Sequence, residues 1–307
     1  MQPLSPVLPL RNSDRKAGGF GKISGNGLSH PSYLFGTYHG TYDILYQYTD
    51  SIPELHQAFN ACSQFAGESE TTSKPTPAQV GAAIKLPKDT TYADLLNKED
   101  FHFLDSIVRQ SLKSPLNKMY IKPNFLALIL GEIEKGKKLV DTGYSQSRID
   151  SMKSQVMDIA LEKKAKEKGL TIVGLEDIFD AFVSEKSNLK KEADELISDL
   201  REDDEISPLS FVNTLSDVYR TQNMKSLIDF EVKVDSIFRT SPKLTEIGKR
   251  IREDLLKRRN LNWMNKIPEL MKAQPTFIAV GVRHLPGKDG LIALLLEKGY
   301  QVEPIGL

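Results

Sequence analysis

Thr276-Phe-Ile-Ala-Val-Gly281 is an apolar, partly β-branched run closed by glycine, and His284 follows three residues after that glycine. A short run of this kind reads as a buried strand entering a loop. The loop holds Pro286 and Gly287, Asp289 stands where it can cap a helix over Leu291 to Lys298, and Gly299 ends that helix. Gln301 to Ile305 then supplies a last strand. The same order recurs near the other end of the chain. Pro31-Ser-Tyr-Leu-Phe-Gly36 is followed by His39, and Ser51-Ile-Pro-Glu54 opens a helix with Leu55, Ala58, Phe59 and Cys62 at helical spacing. A short strand, Gln64 to Glu68, closes the unit. Both ends therefore read strand, G-x-x-H, loop, helix, strand.

Between these halves the pattern is mostly helical, over Tyr92 to Gln110, Pro123 to Glu134, about Ser147 to Lys168, and again from Phe182 to about Lys257. One further strand, Leu170-Thr-Ile-Val-Gly-Leu175, interrupts it and delivers Glu176 at its end, as Gln64 to Gly67 delivers Glu68. The expectation is an α/β (α+β) fold. Its central mixed sheet is built by the N- and C-terminal β-loop-α-β halves and carries a large helical middle section. Residues 1–26 mix Pro, Ser, Gly and charge without periodicity and read as a poorly ordered lead-in. Residues 27–307 read as one domain with a helical insert over about 85–265.

Composition narrows the function classes. A hydrophobic fraction of 39% over 307 residues suffices for a sizeable core, and 41 basic residues balance 41 acidic ones, so net charge points to neither nucleic acid nor an anionic membrane surface. The single cysteine, Cys62, rules out an internal disulfide framework and any Cys-rich zinc site. No run approaches the roughly 18 apolar residues of a membrane span. The first twenty residues contain no continuous apolar stretch ahead of a small-residue cleavage site, so no signal peptide is read there. A soluble protein without an integral membrane segment is expected, with oligomeric state left open.

The chemistry expected from the residues lies at the strand ends. In open α/β sheets ligands sit in the crevice beyond the carboxyl ends of parallel strands, and there His39 and His284 converge if their strands are neighbours. Neutral imidazole ligates zinc, manganese, cobalt or iron, and Glu68 and Glu176 supply hard oxygen ligands or a base. A lone histidine in a loop is more often structural, so the pairing carries the reading. The tyrosines around His39 either pack a loop or, for Tyr38 and Tyr42, meet substrate. There is no H-E-x-x-H, no P-loop and no dinucleotide fingerprint.

Several blocks resemble the TraB/GumN family, whose relatives include Tiki-type metalloproteases. Phe277-Ile-Ala-Val-Gly-Val-Arg-His-Leu-Pro-Gly-Lys-Asp-Gly-Leu-Ile-Ala-Leu-Leu-Leu-Glu-Lys-Gly-Tyr-Gln-Val302 is similar to the family's closing block. Gly36-Thr-Tyr-His39 resembles its opening G-T-x-H, Gly174-Leu-Glu176 its central G-L-E, and Arg259-Asn260 ahead of Trp263 its late R-N pair. Asp177 stands where the family commonly has Thr, and no clear Gln follows. The resemblance implies a Tiki-like fold with a metal-dependent, peptidase-like centre. His39 and His284 become the metal ligands for manganese, cobalt or zinc, Glu68 or Glu176 accepts a proton from metal-bound water, and Arg259 stabilises the oxyanion at a peptide carbonyl. It further implies a peptide or protein substrate and a place in the cell envelope or outside the cell. Two other readings of the same fold are a non-catalytic pocket holding haem or a similar ligand, and a signal-inhibiting interaction protein.

Overall fold

The computed structural model describes residues 19–38, 53–70, 76–141, 143, 145, 147, 156–177, 189–201, 215, 218–219 and 223–305. Contacts divide the chain into two units, one of Met1–Thr72, Met152–Ile178 and Ser207–Leu307, the other of Ser73–Ser151 and Phe179–Ile206.

The first unit holds a six-stranded mixed sheet. Its strands are β1 (Phe20–Gly25), β2 (Ser32–Thr37), β3 (Gln64–Gly67), β4 (Thr171–Gly174), β5 (Thr276–Gly281) and β6 (Tyr300–Pro304), in the order β4-β3-β5-β2-β1-β6. β4, β3, β5 and β2 run parallel, whereas β1 is antiparallel to both β2 and β6. Parallel neighbours need crossover connections, and the helices between the strands provide them. The helices of this unit are α1 (Pro53–Asn60), α2 (Met157–Glu167), α3 (Met224–Phe238), α4 (Pro242–Arg250), α5 (Arg258–Trp263), α6 (Ile267–Ala273) and α7 (Leu291–Glu297), and a π-helical turn, Ile251–Lys257, leads into α5. The two strands that precede the G-x-x-H segments are adjacent and central, with Thr37 paired to Gly281.

Burial on both faces explains the apolar runs. Phe277, Ile278, Ala279 and Val280 of β5 are buried, and Phe277 meets Phe35, Phe59 and Phe65, the last stacked at 6.2 Å between centroids. At Gly36 a side chain has no room. A Cβ there would lie 2.8 Å from Val282 Cγ2 and 3.0 Å from Val282 Cα. The main-chain atom cannot retreat, so Gly36→Ala is expected to lower stability by about 1–3 kcal/mol, the usual cost of overpacking a core. Denaturant unfolding followed through the single tryptophan, Trp263, reads this directly. A midpoint equal to wild type would mean that β2 and the turn after β5 are not held this close.

Three local expectations are corrected. Phe20–Gly25, assigned by composition to the lead-in, is a strand, because Phe20 and Ile23 are buried and β6 pairs with Gly21 to Gly25. The segment Tyr92 to Gln110 is two helices, since Leu96 is extended and the Asn97 side chain accepts from the N–H of Asp100 to start the second. Asp289 does not cap α7; Gly290 holds that position, and the Asp289 carbonyl instead accepts from Asn260 Nδ2 at 2.8 Å.

The second unit is helical, with Pro77–Ile84, Tyr92–Leu95, Lys98–Leu112, Pro123–Asp141 and Leu189–Arg201. It has its own core, including Tyr92, Leu104, Leu126 and Leu196. Among the described residues no helix is long and apolar enough to cross a membrane.

Candidate functional site

The carboxyl ends of β4, β3 and β5 bring four of the sequence-selected residues together. The pairing of β3 with β4 continues beyond both strands, where Leu175 N–H donates to Gly67 O at 2.9 Å and Glu176 N–H to Glu68 O at 2.8 Å. The two acids are thereby set side by side. Arg259 and Trp263 are four residues apart on α5, and Asn260 is three before Trp263, the spacings at which helical side chains act together. The π-helical turn before α5 is a distortion frequent at functional sites.

Arg259 is the hub. Its Nη2 bonds to Glu68 Oε2 at 2.5 Å and to Glu176 Oε1, its Nε donates to Glu176 Oε1 at 2.9 Å, and its Nη1 faces His284 Nε2 at 3.2 Å. The guanidinium carbon also lies 4.7 Å above the Trp263 ring, within cation–π reach. Glu176 has little freedom, because its Oε2 also accepts from Trp263 Nε1 at 3.1 Å. Glu68 Oε1 accepts from the main-chain N–H of Gly281 at 2.6 Å and stands 3.9 Å from His284 Nε2. A Cβ at position 281 would lie 3.1 Å from that same Glu68 oxygen, so the glycine of G-x-x-H makes space for a carboxylate from a neighbouring strand.

Burial alone would push the Glu68 carboxyl up, but the charge of Arg259 and the bonds from Gly281 and Arg259 outweigh it and hold it below the usual carboxylate range. Burial acts on Arg259 in the opposite direction, and the bonds and charges of Glu176 and Glu68 keep its pKa above the ordinary value. Glu68 is therefore ionised at neutral pH.

His284 is 4% exposed. Its ring meets Trp263 at 4.5 Å between centroids, and its Nδ1 lies 2.7 Å from Asn260 Oδ1. The preceding residue, Arg283, makes a two-bond pair with Glu231 of α3 at 2.6 and 2.9 Å, fixing the turn that carries the histidine.

His39 and Tyr42 lie outside the described residues. Tyr38 is described, and it is buried with its ring stacked 5.3 Å from Tyr219, which makes it a packing residue in this arrangement. Among the described residues no three His, Cys, Asp or Glu side chains form a group that could hold a metal ion. His284 Nε2 and Glu68 Oε1 are two donors of suitable chemistry.

Sequence reasoning passed over Trp263 and Asn260 as members of the site, and Glu231 as the partner of Arg283. Helical spacing was the available signal for the first two, with Trp263 four residues after Arg259 and three after Asn260. For Glu231, separated from Arg283 by 52 residues, no local signal exists. Thr37 Oγ1 bonds to Asp158 Oδ1 at 2.8 Å, placing a further carboxylate at the end of β2.

A mixed-sheet α/β protein with an arginine clasped by two carboxylates and facing a buried histidine at the ends of its parallel strands is the class that fold and site define. The chain belongs to the TraB/PrgY/gumN family, whose profile matches residues 20–304. Comparisons with curated proteins and with solved structures give no match.

Proposed function

We propose that this protein is a metal-assisted hydrolase of peptide-like bonds, centred on His284, Glu68 and Arg259. The observation that carries the reading is the meeting of these groups with Glu176 at the strand ends. Two carboxylates face one guanidinium there, which leaves a formal negative charge beside a neutral imidazole and favours a cation.

The donor chemistry fits a divalent ion, imidazole nitrogen with hard carboxylate oxygen, which manganese, cobalt and zinc all accept. His284 and His39 would hold it, with Glu68 beside them. When bound, such an ion supplies a Lewis acid that polarises a carbonyl and lowers the pKa of water. Arg259 Nη1 must withdraw from His284 Nε2 for loading. Glu68, ionised and only partly exposed, accepts the proton of the attacking water. Arg259 directs an N–H at the oxygen that gains charge, and Glu176 with Trp263 positions Arg259. This divides the two acids between roles, one as base and the other as support.

Elemental analysis after loading with manganese, cobalt or zinc, beside His39→Ala and His284→Ala variants, tests the reading. Near-stoichiometric metal lost in both variants, with cleavage of members of a peptide library by the loaded wild type, is expected. Folded protein that takes up no metal under any condition would overturn it in favour of non-catalytic ligand binding.

A further inference from the structure

We infer that Asn260 is a positioning residue that fixes the tautomer of His284, placing the proton on Nδ1 and presenting the Nε2 lone pair to the site. The inference rests on the proposed role of His284, but its physical basis is separate. Asn260 is 2% exposed and has three polar contacts within the turn after β5. Its Nδ2 donates to the carbonyl of His284 at 3.1 Å and to that of Asp289 at 2.8 Å, which uses both amide hydrogens. The reverse orientation of the amide would set Oδ1 against two carbonyl oxygens. Oδ1 therefore faces His284 Nδ1 at 2.7 Å, and an amide oxygen can only accept, so Nδ1 carries the hydrogen.

A second constraint reaches the same answer from the other side of the ring. Arg259 Nη1, 3.2 Å from Nε2, is a donor and never an acceptor, so the neutral ring must offer it a lone pair. Free neutral imidazole of histidine favours the proton on Nε2, so the site reverses the intrinsic preference. A ligating histidine behaves this way when its remote N–H is held by an oxygen acceptor, which orients the ring and makes the free nitrogen more basic. The two carbonyls anchored by Asn260 belong to His284 itself and to the loop before α7, so one side chain fixes both the ring and the main chain that carries it.

Nitrogen NMR of the full-length, chelator-treated protein with 15N-labelled histidine is the test, at a pH where imidazoles are neutral. The His284 signals are identified by their loss in His284→Gln. In wild type the Nδ1 is expected to be protonated and Nε2 unprotonated. A ring protonated on Nε2 overturns the inference, whether or not the protein binds metal. Asn260→Leu, which removes the oxygen acceptor at Nδ1, should shift the tautomer toward Nε2–H. In zinc titrations against a chromophoric chelator, Asn260→Leu is expected to weaken uptake by about 10- to 100-fold. If Asn260→Leu keeps the Nδ1 proton, the inference fails. If wild type has the Nδ1 proton but takes up no metal, the tautomer assignment stands and the proposed function falls.

Discussion

Arg259→Met is expected to destabilise the sheet-bearing unit by about 3–5 kcal/mol, the cost of removing one partner from a buried charge cluster. Methionine approximates the arginine stem, so the loss would come from the charge and its hydrogen bonds. Side chains of Arg259, Glu68 and Glu176 are 12%, 20% and 10% exposed, too little for water to replace the guanidinium. The effect also has a sign in pH. In the wild type the folded-state pKa of Glu68 is lowered below its unfolded value of about 4.3. Its stabilising contribution is thus full above that value and is lost as pH falls through the folded pKa. Without Arg259, burial dominates and raises the Glu68 carboxyl above its unfolded value. The variant should then lose stability as pH rises through about 4.3, because the unfolded chain releases its proton first. Urea unfolding of both proteins from about pH 4 to 8 measures the difference. A gap that stays constant across that range would show that Arg259 contributes packing and not counter-charge.

The second large effect separates the two acids. Glu68→Gln keeps shape and can still accept from Gly281 N–H, but it cannot take a proton from water. Hydrolysis of a peptide found in the library search should fall by about 10²–10⁴-fold, the usual contribution of a general base. The low-pH limb of the rate profile should disappear with it. Glu176→Gln should instead lower the rate through a misplaced Arg259 and leave that limb in place, since both Glu176 oxygens are taken by Arg259 and Trp263. If both variants lose the limb equally, the division of roles is wrong. If Glu68→Gln retains full activity, the base is elsewhere, and Asp158 at the end of β2 becomes the group to test.

Much of this site could be read from the chain because its parts end strands. An apolar run stopped by glycine is a local signal, and β2, β5 and β4 each end that way before His39, His284 and Glu176. Strand β1 escaped the same reading. Glycines at 19, 21 and 25 dilute its apolar residues, and its partner β6 lies at the opposite end of the sequence. The packing of Tyr38 was also hidden, since the ring on which it stacks is 181 positions away, at Tyr219.

The sequence by itself determined the α/β class, the paired G-x-x-H segments, family membership and the list of titratable groups, all of which depend on runs of neighbouring residues. Only the tertiary structure decided which of these groups meet. Glu68 and Gly281 are 213 positions apart, and Arg259 is 191 from Glu68 and 83 from Glu176. Which carboxylates clasp the arginine, and which imidazole nitrogen faces it, depends on partners a few ångströms away. No local pattern encodes those partners, because parallel strands bring distant segments together through crossovers whose lengths leave no periodic trace.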